Sequence, residues 1–148
     1  MCAVMSADCL PVLLCNHAGT KVAALHGGWR GLAAGIINKG VERFAKSDRL
    51  LAWLGPAISV SAYEISAEVR DQFICKDETM ATCFKPSRTG HWFADLYALA
   101  RKQLASVGVT AVYGGQFCTY TQADKFFSFR RDGKTGRMVS AVWLDPDR

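Results

Sequence analysis

Residues 9–29 read Cys9-Leu10-Pro11-Val12-Leu13-Leu14-Cys15-Asn16-His17-Ala18-Gly19-Thr20-Lys21-Val22-Ala23-Ala24-Leu25-His26-Gly27-Gly28-Trp29, and the fold is decided there. Two short apolar runs, Pro11–Cys15 and Lys21–Leu25, flank Asn16-His17-Ala18-Gly19-Thr20, a polar, glycine-bearing connection of hairpin type. His26-Gly27-Gly28 closes the second run. A helix is expected from Trp29 to about Ala45, because Leu32, Ile36, Ile37, Val41 and Phe44 recur near helical spacing. Strand, turn, strand, glycine turn and helix in that order predict an α/β protein.

Working outward, Cys2–Met5 reads as a strand, and Leu50–Leu54 as another, closed by Gly55-Pro56. Tyr63–Phe73 is expected to be a helix with Ile65, Val69 and Phe73 four apart. Lys76–Trp92 is the least regular stretch. Asp95–Val107 predicts a third helix, capped by Asp95 or Ala94, with Leu96, Leu99 and Leu104 inward and Gly108 ending it. A strand at Val109–Tyr113 follows. Phe126–Arg131 and Arg137–Leu144, about the turn Asp132-Gly133-Lys134-Thr135-Gly136, read as a long antiparallel hairpin. The expected class is α/β, a mixed, largely antiparallel sheet layered with helices in a cysteine-hydrolase-like sandwich, one domain over 1–148.

Composition narrows the function classes. Half of the 148 residues are hydrophobic and 21% are charged, which suits a packed core and argues against disorder. The longest apolar stretches fall far short of the roughly 20 residues that cross a bilayer, and Met1–Ser6 carries no secretory pattern. A soluble, cytoplasmic protein is therefore expected, with no membrane partner. The six cysteines are widely spaced, which favours free thiols or a metal site over a disulfide framework. The net charge of +5 is densest at Arg130, Arg131, Lys134 and Arg137, interrupted by Asp132. That cluster is too short for a nucleic-acid stripe but enough for phosphate or a small anion.

If the hairpin folds about Ala18, Cys9 and His26 come to the same end of the ladder. Three readings are open for such a pair. A thiolate and an imidazole can ligate zinc, with a third protein ligand and an open position for water. Alternatively His26 deprotonates Cys9 for nucleophilic attack, with the Gly27 and Gly28 N–H groups receiving an oxyanion. In the third reading Cys9 is a small buried residue and His26 a satisfied strand-end histidine.

Four blocks carry a resemblance: Ala7-Asp8-Cys9-Leu10-Pro11-Val12-Leu13-Leu14; Val22-Ala23-Ala24-Leu25-His26-Gly27-Gly28-Trp29-Arg30-Gly31-Leu32; Gly55-Pro56-Ala57-Ile58 with Tyr63-Glu64; and Phe126-Phe127-Ser128-Phe129-Arg130-Arg131-Asp132-Gly133 with Thr135-Gly136-Arg137. In this order the chain resembles the polyphenol-oxidase/laccase-domain family of purine nucleoside phosphorylases, which includes proteins described as peptidoglycan editing factors. The resemblance implies phosphorolysis of adenosine, inosine, guanosine and methylthioadenosine, and deamination of adenosine, so purine nucleosides and phosphate are the implied partners. It also implies a zinc held by two histidines and a cysteine, with Cys9 and His26 as two ligands and both catalytic. The remaining histidine of that set is expected N-terminal to Met1, so the chain is expected to be N-terminally truncated. His17, in the hairpin turn, and His91 stand outside the motif. Copper enters by the family's older name alone, since three isolated histidines cannot build a trinuclear copper cluster.

Among the matching residues Arg30, beside the glycine pair, reads either as a phosphate ligand at a helix start or as a surface arginine, and Tyr63 with Glu64 either as nucleoside contacts or as an ordinary helix start with an acidic residue. Arg130 and Arg131 are candidate phosphate ligands, although on a strand they point to opposite faces and at most one reaches the pocket. Asp8 is expected to orient His26 or to cap a turn. The rival functions are a metal-free Cys9/His26 hydrolase, a polyphenol oxidase-type oxidoreductase, and an inactive fragment serving as a binding module.

Overall fold

Leu10–Asn16 is apolar at nearly every position rather than at alternate ones, and side chains alternate across a strand, so such a run is stable only with both faces covered. The computed structural model describes residues 1–145 and shows this arrangement; 146–148, the end of the expected domain, lie outside the described residues. Strand β2 (Leu10–Asn16) pairs antiparallel with β3 (Val22–Gly27) on one side and β4 (Leu50–Leu54) on the other, and β8 (Ala111–Gly114) adds parallel to β4. Leu10, Val12 and Leu14 enter the main core with Leu25, Leu32, Ile37 and Leu104. Leu13 turns the other way, toward Met138 and Ala141. Those residues belong to a two-stranded antiparallel ribbon of β1 (Cys2–Ser6) and β9 (Met138–Val142) that packs against β2 and β3.

Helices α1 (Trp29–Ala33) and α2 (Ile36–Val41) pack on β3, and α4 (Leu96–Ser106) packs on α2. A second antiparallel sheet, ordered β5 (Glu64–Ser66), β7 (His91–Ala94), β6 (Phe84–Pro86), precedes α4; α3 (Ala67–Ile74) and a 3-10 turn at Glu78–Cys83 lie within it in sequence. The α/β class with mixed, largely antiparallel sheets is as expected. No helix among the described residues is long and apolar enough to cross a membrane, and all six cysteines are free.

Three expectations are corrected. The helix from Trp29 breaks at Gly35, whose φ of 77° lies where glycine is favoured. The break lays α2 against β3 so closely that a Cβ on Gly40 would stand 2.6 Å from Leu25 Cδ1. Tyr63–Phe73 does not begin as helix: Glu64–Ser66 pairs with His91–Phe93, and α3 starts only after Ser66. Tertiary pairing there overrides the four-residue spacing.

The third correction bears on the site. Phe126–Arg131 is not a strand, and Arg137–Leu144 does not fold back on it. The backbone N–H of Arg130 donates to Asp8 Oδ2 and that of Arg131 to Ser128 Oγ, so Phe129–Asp132 forms a short helix, α5. Strand β9 pairs instead with β1, at the far end of the sequence.

α4 follows expectation: Asp95 Oδ1 accepts from Ala98 N at 2.9 Å, Leu96, Leu99 and Leu104 are buried, and Gly108 at φ 82° ends it. Asp95→Ala is expected to lower stability by about 1 kcal/mol, the usual worth of a side-chain cap, measured as a lower urea midpoint at unchanged slope.

Candidate functional site

Between β2 and β3 the register sets Pro11 opposite His26 and Leu10 opposite Gly27. The next step outward sets Cys9 against Gly28, the residue that leads into α1. A Cβ placed on Gly28 would stand 3.1 Å from Cys9 Sγ and 3.7 Å from both Nε2 and Cδ2 of His26. The thiol and the imidazole thus converge on one glycine, and the missing side chain leaves the room they occupy.

Charged and aromatic groups surround the pair. Burial first, and the neighbouring Asp8 second, push the Cys9 thiol above its ordinary range, while Arg137 pulls the other way. Burial, with Cys9 behind it, pushes Tyr63 up to about 12 against the pull of Arg130 and Arg30. The phenol therefore stays protonated at any physiological pH. Arg130 lies over the Tyr63 ring, 5.1 Å from its centroid, and donates from Nη1 to the Glu64 carbonyl at 2.9 Å. Arg30 lies 4.4 Å from the Trp29 ring centroid and Arg137 5.9 Å from that of Phe129. His26, Arg30, Arg130 and Arg137 are all exposed, so the site is open to water.

Other candidates stand elsewhere. Arg131 spends its guanidinium on the carbonyls of Thr119, Tyr120 and Phe126 and on Asp132, tying a loop together. Asp8 stands beside Cys9, but its carboxylate accepts from Thr119 Oγ1 and Arg130 N rather than orienting His26. Glu64 accepts from Ser87 at 2.6 Å and Arg88 at 3.2 Å, and these bonds, the Ser87 one foremost, hold it below the usual carboxylate range. His91 contacts Arg88 and the Thr89 carbonyl on the second sheet, and His17 lines a cavity of about 510 Å³ with Asp48 and Arg49, at the other end of the β2–β3 ladder. Among the described residues no three His, Cys, Asp or Glu side chains gather as a metal cluster. Cys9 and His26 match zinc in donor type and fall short in number.

The chain matches, over residues 1–145, the family described as multi-copper polyphenol oxidoreductase laccase. It belongs to that family. The Escherichia coli (strain K12) protein named purine nucleoside phosphorylase YfiH is 52% identical over 145 residues, and its Shigella flexneri counterpart 54%. Each match covers 97% of this chain and 59% of the relative, so the chain spans about three-fifths of their length. Among solved structures, Neisseria meningitidis protein NMB0706 superposes with a TM-score of 0.94 at 51% identity, covering 97% of this chain and 60% of that one. Bacillus licheniformis protein YfiH superposes at 0.85 with 31% identity, covering 93% and 55%.

In this laccase-family chain the link from Arg137 to Cys9 was not legible in the sequence, and Cys118, which from its loop ahead of Arg130 is expected to be able to line the same pocket, stands at another one. Arg137 acts on Cys9, which its place on an expected hairpin did not indicate; its membership of the basic cluster with Arg130 and its place in Thr135-Gly136-Arg137 were the signals. Cys118 accepts from Ser59 Oγ at 3.0 Å and from Ser59 N at 3.4 Å; burial raises its pKa, but these bonds and those from Thr121 bring it down to about 7. It lines a different cavity of about 480 Å³, with Ser59, Tyr97 and Arg101 but neither Cys9 nor His26.

A raised pKa leaves the Cys9 thiol protonated at neutral pH. Alkylation of Cys9 by iodoacetamide in the metal-free chain is therefore expected to keep accelerating past the ordinary thiol range, followed by peptide mass spectrometry. A rate plateau in mildly acidic buffer would reveal a thiolate–imidazolium pair and reinstate the nucleophile reading.

Proposed function

We propose that this chain is the Cys9/His26 portion of a zinc-dependent purine nucleoside phosphorylase that cleaves adenosine, inosine, guanosine and methylthioadenosine with phosphate and also deaminates adenosine, in the cytoplasm. The observation that carries the reading is the convergence of Cys9 and His26 on Gly28 beside three arginines. The names of the relatives supply the substrate class.

Cys9 and His26 are the two residues here that would hold zinc, together with a third ligand from outside the described residues. When bound, zinc supplies Lewis-acid polarisation, the chemistry that deamination of a purine needs. Metal binding requires the thiolate, and the raised Cys9 pKa makes uptake steeply dependent on pH, weaker as pH falls.

Phosphorolysis depends on the chain's own cations. Arg30, Arg130 and Arg137 hold a phosphate dianion, two of them braced by aromatic faces within about 5 Å of the ring centre. A phosphate oxygen attacks C1′ of the ribose, the C1′–N9 bond breaks, and the base leaves with its electron pair and takes up a proton. Tyr63, protonated throughout, donates a hydrogen bond to the nucleoside and presents the other part of its surface to Arg130.

The test is chromatography of adenosine incubated with zinc and phosphate. Adenine and ribose 1-phosphate are expected from phosphorolysis, and inosine from deamination. In a chain of the relatives' full length Cys9→Ser is expected to abolish both, while alanine at Cys2, Cys15, Cys75, Cys83 or Cys118 leaves turnover within about twofold; Cys2 and Cys15 stand by Val22 at the other end of the β2–β3 ladder, and Cys118 lines a separate cavity. Full activity of Cys9→Ser would remove the reading.

Metal analysis gives a second check. The 148-residue chain is expected to hold zinc more weakly than a chain of the relatives' full length, since two protein ligands bind less tightly than three. One tightly held zinc per short chain would place the third ligand within these residues.

A further inference from the structure

We propose that Asp8 is a positioning residue that sets the distance between the Cys9 thiol and the Arg130 guanidinium, and so tunes anion binding at the site; this rests on the reading of Arg130 as a phosphate ligand. Asp8 is the one non-glycine among the described residues with positive φ, at 90°. Side chains with a Cβ avoid that region, and residues held there persist where their surroundings over-determine them. The surroundings here are specific. Asp8 is buried, 7% exposed, and its backbone carbonyl accepts from Ile58 N at 3.0 Å. Oδ1 accepts from the hydroxyl of Thr119, itself fully buried, at 2.6 Å, and Oδ2 from the Arg130 N–H at 2.7 Å.

One carboxylate thus joins segments 111 and 122 residues away to the residue before Cys9. The Arg130 bond explains why α5 forms where a strand was expected: its first turn is tied to Asp8. From that tether the Arg130 side chain reaches the Tyr63 ring and the Glu64 carbonyl. Arg130 is fixed at its backbone by Asp8 and at its guanidinium by Tyr63–Glu64. The strained backbone at Asp8 in turn sets the direction in which the chain enters Cys9. Removing the carboxylate frees the backbone end of Arg130 and leaves the thiol–imidazole pair in place.

The test compares the wild type with Asp8→Asn, Arg130→Ala and their combination, in the 148-residue chain for phosphate binding and in a zinc-loaded chain of the relatives' full length for turnover. Asparagine tolerates positive φ but brings one acceptor oxygen in place of two: either Arg130 N–H faces a donor, or the amide turns, donates to the Thr119 hydroxyl and gives Arg130 N–H a neutral acceptor in place of a charged one. Two readouts are taken: the dissociation constant of inorganic phosphate, from shifts of backbone amide NMR signals, and KM for phosphate and for adenosine. Asp8→Asn is expected to weaken phosphate about tenfold, the scale of a lost hydrogen bond to a charged group, with KM for adenosine within about twofold. In the Arg130→Ala background the same change is expected to add nothing, since both substitutions act through one side chain.

Unchanged phosphate affinity in Asp8→Asn overturns the proposal, as does an equal loss in both backgrounds, which would mark a general structural role. Should Asp8→Asn fail to fold, Thr119→Val, which removes one arm of the clamp, carries the same comparison with a smaller effect. A wild type that binds phosphate without turning over adenosine refutes the nucleoside reading alone, and the phosphate arm still decides on Asp8. A wild type that turns over adenosine while the variants show no coupling refutes the Asp8 proposal alone. A wild type that binds no phosphate sinks the Asp8 proposal outright.

Discussion

Backbone pairing of β2 with β3, with Pro11 opposite His26, is the constraint on which the rest of the structure depends. A slip of one residue would turn every side chain of one strand to the opposite face and separate the thiol from the imidazole. Burial resists the slip. Leu10, Val12 and Leu14 would leave the main core, and each fully buried aliphatic side chain contributes roughly 1.5–3 kcal/mol. The same strand also pairs with β4 and lies under the β1–β9 ribbon, so its register is held on both edges and both faces. At its open end Gly27 and Gly28 let the chain pass into α1 at close quarters. A Cβ on Gly27 would meet the Leu10 carbonyl at 2.7 Å, and one on Gly28 would meet the Cys9 sulfur.

Around that end the electrostatics divide the labour. Cys9 and Tyr63 are drawn toward their neutral forms by burial, while Arg30, Arg130 and Arg137 pull the other way from the exposed rim. Each of the three guanidinium groups lies over an aromatic ring, Trp29, Tyr63 and Phe129. Such a rim favours an anion. Arg131, one residue from Arg130, shows how local geometry separates roles: on α5 the two side chains diverge, one to Tyr63 and the other to loop carbonyls.

His26, Arg30, Arg130 and Arg137 are exposed, and no described element covers them. A thiol and an imidazole, donor types that zinc accepts, meet at Gly28, and no three His, Cys, Asp or Glu side chains gather as a metal cluster among the described residues.

What the sequence determined by itself was local. Unbroken apolar runs and a polar turn specified the β2–β3 hairpin, and with it the meeting of Cys9 and His26, because seventeen residues of hairpin leave little freedom in register. Leu50–Leu54 and the capped, leucine-faced helix from Asp95 were equally legible, for each carries its start signal and its apolar pattern within a few residues. Only the tertiary structure decided the rest. Glu64–Ser66 became a strand because His91–Phe93 was there to pair with it, and Phe126–Arg131 lost its expected strand because Asp8 captured the Arg130 N–H across 122 residues. Arg137 came to act on Cys9 because β9 pairs with β1 rather than with its sequence neighbour. Hydrogen bonds between segments so far apart leave no periodicity in the sequence, and the folded chain forms them when packing of the core brings their partners together.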